Sequence, residues 1–487
     1  MMNFIRKYDW LFIGLVALIY YVCLSSKVWS WLFVSGDSGD WLAASTWWMN
    51  CQPYGSPLYV LLGHLMNAIP FGELPLKMTL VLSVIPASIT VAVVYLIVKR
   101  ITSNLKIALV SSLILLGAAI PLSQATVLEE YALSSMFITT AFYFYLQDRK
   151  KLTILMLALG SAIHIIVICI TGLWLIVTFI TERKGVLSWL KYSWIFIVCG
   201  ILPYSLVLIL MYADTPRFLS GHLSWAAINN YLSSTDTIGT LSIWEAPKRL
   251  LQFIGIVCVS LGLALLPLWI GLKNVWKESK KYTVVLATII FSVWIYITDN
   301  DPSTWTFMNF SFPLIVVIIA LGLSKLQPLH SKIVGFGACG LIILNGFFLN
   351  ANTLTNEYPL ATEYEQALKD LPDGSFVICF SGGNYTLANY YVLAQGKQVV
   401  PLFYSGTTPQ KKDSLHTPRY TDYKKWIDQH YDVKGQDTME QVRYLLAQCR
   451  NVYITKVTIL NEWQGVFQFE DYNQHFGKVV GVNWNEQ

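Results

Sequence analysis

Charge is what this chain has least of. Charged residues make up 13% of its 487 positions, against 55% hydrophobic and 14% aromatic, a balance too apolar for a soluble or disordered protein. The apolar residues fall in blocks long enough to cross about 30 Å of hydrocarbon. A small-residue cleavage pattern is missing after the first block, which follows Arg6 and Lys7; it reads as a retained span rather than a removed signal peptide. The eight cysteines show no metal-ligand spacing, and Cys23, Cys169, Cys199, Cys258 and Cys339 lie in apolar blocks as small hydrophobes. Only Cys51, Cys379 and Cys449 can meet an oxidising compartment, where Cys379 and Cys449 either form a disulfide or stay as two buried thiols. Ser381-Gly382-Gly383-Asn384 lacks the third glycine of a phosphate-cradling loop and reads as a turn. The net charge of +5 resides between spans, where insertion bias places it, and implies no nucleic-acid partner.

Threading the apolar blocks gives eleven expected spans, at about 10–29, 76–98, 106–122, 131–146, 152–163, 166–181, 188–211, 250–272, 282–298, 306–324 and 332–350. Residues 152–181 are split in two, because one long helix would put Arg149, Lys150 and Lys151 across the bilayer from Arg183 and Lys184. With the N-terminus cytoplasmic, the basic clusters at 6–7, 99–106, 149–151, 183–191, 273–281 and 325–332 all fall inside. The outer connections before the tail hold only Lys27, Lys77, Arg217, Lys248 and Arg249. This orientation puts residues 30–75, the turns near Glu129 and His164, the loop 212–249 and the turn 299–305 outside. Residues 30–75 are read as interfacial helices, with Trp29, Trp31, Trp47 and Trp48 at headgroup level. Beyond Asn350 charges, prolines and short β-rich runs replace the apolar blocks. Strands are expected near 376–380, 398–403, 451–455 and 466–469, with helices near 385–394, 420–431 and 439–449. The expected fold class is therefore a polytopic α-helical membrane protein over 1–350, followed by an extracytoplasmic soluble α/β domain over 351–487.

The chemistry-bearing residues share the outer face. Asp37 and Asp40, three apart, can point at one substrate if a helix begins there; the same pair also reads as an N-cap with an acid at N3. The run Gly36-Asp37-Ser38-Gly39-Asp40, followed by Gln52-Pro53-Tyr54-Gly55-Ser56-Pro57-Leu58-Tyr59, resembles the GDSGE and HPPGYPLY motifs of the protein O-mannosyltransferase-like branch of the GT-C glycosyltransferases. Glu129-Glu130-Tyr131-Ala132-Leu133 is similar to that branch's EVYAL motif, and Gly160 to His164 to its glycine-to-histidine segment. The likeness covers the first 180 or so residues in motif and the remainder in layout. Asp40 stands where the family has glutamate, and Gln52, Tyr54 and Ser56 stand where it has histidine, proline and tyrosine. The family reading survives these changes; the substrate does not follow from it.

The resemblance implies a polyprenyl-phosphate-linked monosaccharide donor, transfer with inversion at the extracytoplasmic face, and a protein, glycan or lipid acceptor. A phosphate leaves without a strong acid, so one carboxylate suffices to take the acceptor hydroxyl's proton. Asp37 is the expected base. Asp40 would orient the sugar, or hold a divalent metal if one is used; no other cofactor is implied. Glu129 is the next catalytic candidate, at a span end where an ionised side chain needs a partner or a wet cavity. Glu130, Tyr54, His164, Arg217, Arg249, Asp299 and Asp301 are candidates for substrate binding. Each also has a plainer reading. Glu130 can cap a helix, His164 can be a packing residue, Asp299 and Asp301 suit a turn before Pro302, and the arginines can meet lipid headgroups. A transporter or flippase is the alternative function, but its ionisable groups belong near the midplane of two matching halves, and no halves repeat here. A receptor anchored by its spans would need far fewer of them.

Overall fold

The structure, a computed structural model, describes residues 2–28, 38–47, 56–181, 189–205, 246–298, 302–355, 366–379, 399–403, 432–435, 438–456 and 461–482. Each of the eleven expected spans coincides with helix among these residues. Among the described residues, five helices are by themselves long and apolar enough to cross a membrane: Tyr8–Ser25 within the first helix, Leu74–Thr102, Ala246–Glu278, Lys280–Thr298 and Pro328–Phe347. The fold class read from the sequence, a polytopic helical membrane protein with a C-terminal α/β unit, is the one observed.

Prolines decide where these helices deviate. Pro86 has no hydrogen for the Leu82 carbonyl and its ring crowds that oxygen; the preceding turns, Thr79–Val84, widen into a π-helix. The expected span 106–122 is broken rather than straight, with Leu105–Gly117 and Ala119–Thr126 meeting at 62°. In a continuous helix the Gly117 carbonyl would accept from residue 121, but Pro121 has nothing to donate. Asn345 supplies the missing hydrogen, its Nδ2 donating to Gly117 O at 2.6 Å. Gly117 lets the last long helix pass close by, since a Cβ there would lie 2.7 Å from Ile342 N. Asn345→Leu strands that buried carbonyl, and it is expected to cost about 1–3 kcal/mol of stability, seen as a lowered midpoint of thermal unfolding in detergent.

Residues 152–181 are divided as expected, into Lys150–Ile163 and Ile166–Thr181 with His164 extended between them (φ −145, ψ 130). The helices Ala246–Glu278 and Phe312–Leu323 cross backbone to backbone. A Cβ on Gly271 would collide with the Ile318 carbonyl, and one on Gly322 with that of Pro267, the small-residue contact by which helices associate in lipid.

The two ends of the bundle differ in chemistry. At one end Lys99 Nζ holds both Asp9 carboxylate oxygens, at 2.9 and 2.7 Å, and Tyr95 donates to Asp9 at 2.7 Å. Lys281 pairs with Asp148 at 2.7 Å and Lys325 with Glu278 at 2.8 Å. The opposite end carries Glu129, Glu130 and His164.

The C-terminal sheet has strand order β2-β1-β3-β5-β4, with β1 Ser375–Cys379, β2 Val399–Phe403, β3 Val452–Thr455, β4 Phe467–Asp471 and β5 Phe476–Val482. The first three are parallel and the last two antiparallel. Strand β1 is buried along its whole length, the pattern of a parallel strand covered on both faces. Four strands fall where the sequence places them within a residue or two; β5, with Gly477 and Gly481 diluting its pattern, was not expected. The helices expected at 385–394 and 420–431 lie outside the described residues. Cys379 is buried in β1, Cys449 is exposed, and no disulfide joins them. One apolar cluster runs from Trp41, Tyr59, Leu128 and Ile163 into Phe376, Val377 and Trp463. The sheet thus packs on the same end of the bundle as Glu129.

Candidate active site

The site is built around the short turn Val127–Glu130, between the helices Ala119–Thr126 and Tyr131–Leu146. The amide of Glu129 donates to Val127 O at 3.1 Å, a tight three-residue reversal that sends the two adjacent carboxylates in different directions. The Glu129 side chain meets the helix Ser38–Trp47, where Trp41 Nε1 donates to Oε2 at 3.3 Å. Ser38 Oγ donates to Leu128 O at 2.9 Å, and Ser83 Oγ, from the π-helical segment, lies 3.5 Å from Glu129 O. Trp41 is buried and meets Tyr59 edge-on with ring centroids 5.2 Å apart. Helix 57–67 closes on helix 38–47 through His64 Nδ1 and Ser45 O, 2.9 Å apart.

Glu130 turns the other way. Its Oε1 is 3.6 Å from His164 Nε2, and the imidazole lies among Tyr131, Phe307 and Phe310. Glu129 is 4% exposed, Glu130 and His164 1% each. A carboxylate removed from water to this degree requires compensating donors, and Trp41 provides one for Glu129. The structure thus joins four sequence candidates: Glu129, Glu130, His164 and, through its helix, Asp40, which directly precedes Trp41. The Asp40 side chain and the whole of Asp37, Tyr54, Arg217, Asp299 and Asp301 lie outside the described residues. Among the described residues no three metal-ligating side chains converge.

A cavity of about 730 Å³ is lined by the helix that leads into this turn, with Leu122, Ile256, Val259, Tyr296 and Trp305 among its apolar walls and Arg249 on its lining. The Arg249 guanidinium stands 5.7 Å from the Tyr296 ring centroid, within range of a cation–π attraction. Arg249, Gln252, Ile256, Val259 and Ser260 share one face of their helix and span roughly 16 Å at about 1.5 Å per residue. Cavity and carboxylate turn share two elements. Helix 119–126 lines the cavity and runs into Val127–Glu130, while the 3₁₀ helix Pro302–Phe310 gives Trp305 to the cavity and Phe307 and Phe310 to His164.

Several members of this site were not singled out in the sequence: Ser38 and Trp41 as partners of the turn, Ser83, Tyr296 and the rings of 302–310. Ser38 lies inside the Gly36–Asp40 motif and was the most accessible of these. The others are ordinary residues of apolar helices, recognisable only once the helices are assembled.

No protein-family model matches the chain, and no curated protein matches it in sequence. Solved structures do match. ArnT from Cupriavidus metallidurans bound to undecaprenyl phosphate superposes with a TM-score of 0.62 at 12% identity, covering 98% of this chain and 99% of that one. Its apo state gives 0.61 at 11% identity, over 97% and 98%. The archaeal oligosaccharyltransferase AglB from Archaeoglobus fulgidus, in complex with an inhibitory peptide and a dolichol-phosphate, gives 0.51 at 10% identity, over 99% of this chain and 75% of that one. The chain has the fold of these proteins along nearly its whole length.

Proposed function

We propose that this protein is a GT-C-type glycosyltransferase. It takes a monosaccharide from a polyprenyl-phosphate donor and transfers it, with inversion, to an acceptor hydroxyl at the extracytoplasmic membrane face. The observation that carries the reading is an apolar cavity bearing Arg249 that shares two elements with the turn bearing Glu129. A prenyl chain suits the apolar walls, and a guanidinium suits a phosphate. The neighbours' own ligands, undecaprenyl phosphate for ArnT and dolichol-phosphate for AglB, belong to the same chemical class. The extracytoplasmic placement of this end rests on the basic clusters at the other. The acceptor is a protein, glycan or lipid hydroxyl, and the motif resemblance makes mannose the first sugar to try.

In this reading Asp37 accepts the acceptor's proton as its oxygen attacks the anomeric carbon and the bond to phosphate breaks. Glu129 acts beside it, and Arg249 steadies the leaving phosphate. Asp40 orients the sugar or contributes to holding a divalent ion. The test is turnover: purified protein given a polyprenyl-phosphate sugar and candidate acceptors releases polyprenyl phosphate. No release with any sugar and acceptor, alongside carrier movement across liposomes, would replace this reading with a flippase. Chelator settles the ion, since unchanged turnover excludes an essential divalent metal.

Arg249→Ala is expected to weaken undecaprenyl phosphate binding by about 10-fold to 100-fold, the loss of one charge-assisted contact. Binding measured in detergent at constant ionic strength checks it, and wild-type affinity would remove Arg249 from the phosphate site.

A further inference from the structure

We propose that Glu130 and His164 are positioning residues, a sealed carboxylate–imidazole pair that sets the turn carrying Glu129 without touching substrate. This deepens the glycosyl-transfer reading and rests on it for the role of Glu129.

Both residues of the pair are 1% exposed, and the imidazole is ringed by Tyr131, Phe307 and Phe310 at centroid distances of 5.6, 5.8 and 5.1 Å. Its protonation follows from geometry. His164 Nδ1 accepts the Ile166 amide at 3.2 Å, and a nitrogen that accepts carries no hydrogen. The ring is therefore neutral, with its one N–H on Nε2 facing Glu130 Oε1 across 3.6 Å, an electrostatic contact longer than a hydrogen bond. A ring locked by its own backbone neighbourhood presents a fixed N–H dipole to that carboxylate.

What this dipole fixes is the far end of the turn. Trp41 and Ser38 hold Glu129 Oε2 and Leu128 O from one side by hydrogen bonds; His164 faces the side chain of the next residue from the other, at 3.6 Å. Tyr204 completes the arrangement. Its hydroxyl donates to Ser161 O at 2.7 Å, tying its helix to the last turn before His164, and it stands within electrostatic reach of Glu130. Because Glu129 and Glu130 share a peptide unit, releasing Glu130 lets the Glu129 carboxylate swing away from Trp41.

The test uses the full chain in detergent, with an undecaprenyl-phosphate sugar for turnover and amide hydrogen exchange for the turn. Glu130→Leu removes the acceptor at similar volume, whereas Glu130→Gln keeps an oxygen for the Nε2–H. Glu130→Leu and His164→Leu are each expected to lower kcat at least about 10-fold with the donor KM within about twofold, and the double variant to fall no further than the worse single. Glu130→Gln is expected to lose no more than about threefold, because the contact survives. Exchange across residues 127–131 rises at least about 10-fold in the leucine variants and stays at wild-type level in the glutamine variant.

The proposal is overturned if Glu130→Gln is as impaired as Glu130→Leu, if the main effect falls on KM, or if exchange in the leucine variants is unchanged. Where the leucine variants do not fold, Glu130→Gln decides alone: retained turnover supports the proposal and lost turnover overturns it. Exchange needs no turnover, so an inactive wild type would sink glycosyl transfer while the positioning role is still judged on exchange.

Discussion

Replacing Asp37 with asparagine is expected to lower kcat by about 100-fold to 10,000-fold, the range that general-base assistance contributes. Asparagine is the right probe because the competing role of Asp37 is to cap the helix that begins at Ser38. Asparagine caps as well as aspartate does, so the helix start survives while the basic carboxylate is lost. The next residue in the chain, Ser38, has its hydroxyl anchored to Leu128 O at 2.9 Å, in the turn that carries Glu129. Release of polyprenyl phosphate and the thermal midpoint are measured together. Wild-type turnover at an unchanged midpoint would leave Asp37 as a cap and nothing more.

Glu129→Gln is expected to reduce kcat by about 100-fold, a value typical for the loss of one preorganised electrostatic group. Glutamine keeps an oxygen for the Trp41 Nε1 hydrogen, so the fall reports the charge rather than a collapsed turn. Trp41→Phe tests the same contact from the other side: it keeps an aromatic ring against Tyr59, removes the N–H, and is expected to cost about 10-fold. A Glu129→Gln variant with full kcat and a lowered thermal midpoint would make Glu129 a structural carboxylate. The pair of variants separates the two because burial is common to both while charge is altered in only one.

How far the sequence reaches is clearest at particular residues. Basic clusters flanking 152–181 required a break in that stretch, and the chain breaks at His164. Here the cost of moving charge through hydrocarbon determined the structure, and that cost is visible in composition alone. The span 106–122 was expected as one helix, and its break before Pro121 was not foreseen. The 62° bend depends on Asn345, more than two hundred residues away, being in place to satisfy Gly117 O. Strand β5 was hidden because its two glycines weaken the alternation that marks a strand, and its partner β3 supplies what the local pattern lacks.

At the candidate site the same division holds. By itself the sequence determined the membrane architecture, the presence of an α/β unit at the end, and the gathering of Glu129, Glu130 and His164 at one end of the bundle, because hydrophobic length and charge placement act over local stretches of chain. Only the tertiary structure decided that Glu129 faces Trp41 while Glu130 faces His164, that the rings of 302–310 seal the second pair, and that Arg249 borders an apolar cavity. Adjacent residues part company according to which helices pack on either side of their turn, and that packing depends on contacts between segments far apart in the chain that no local pattern records.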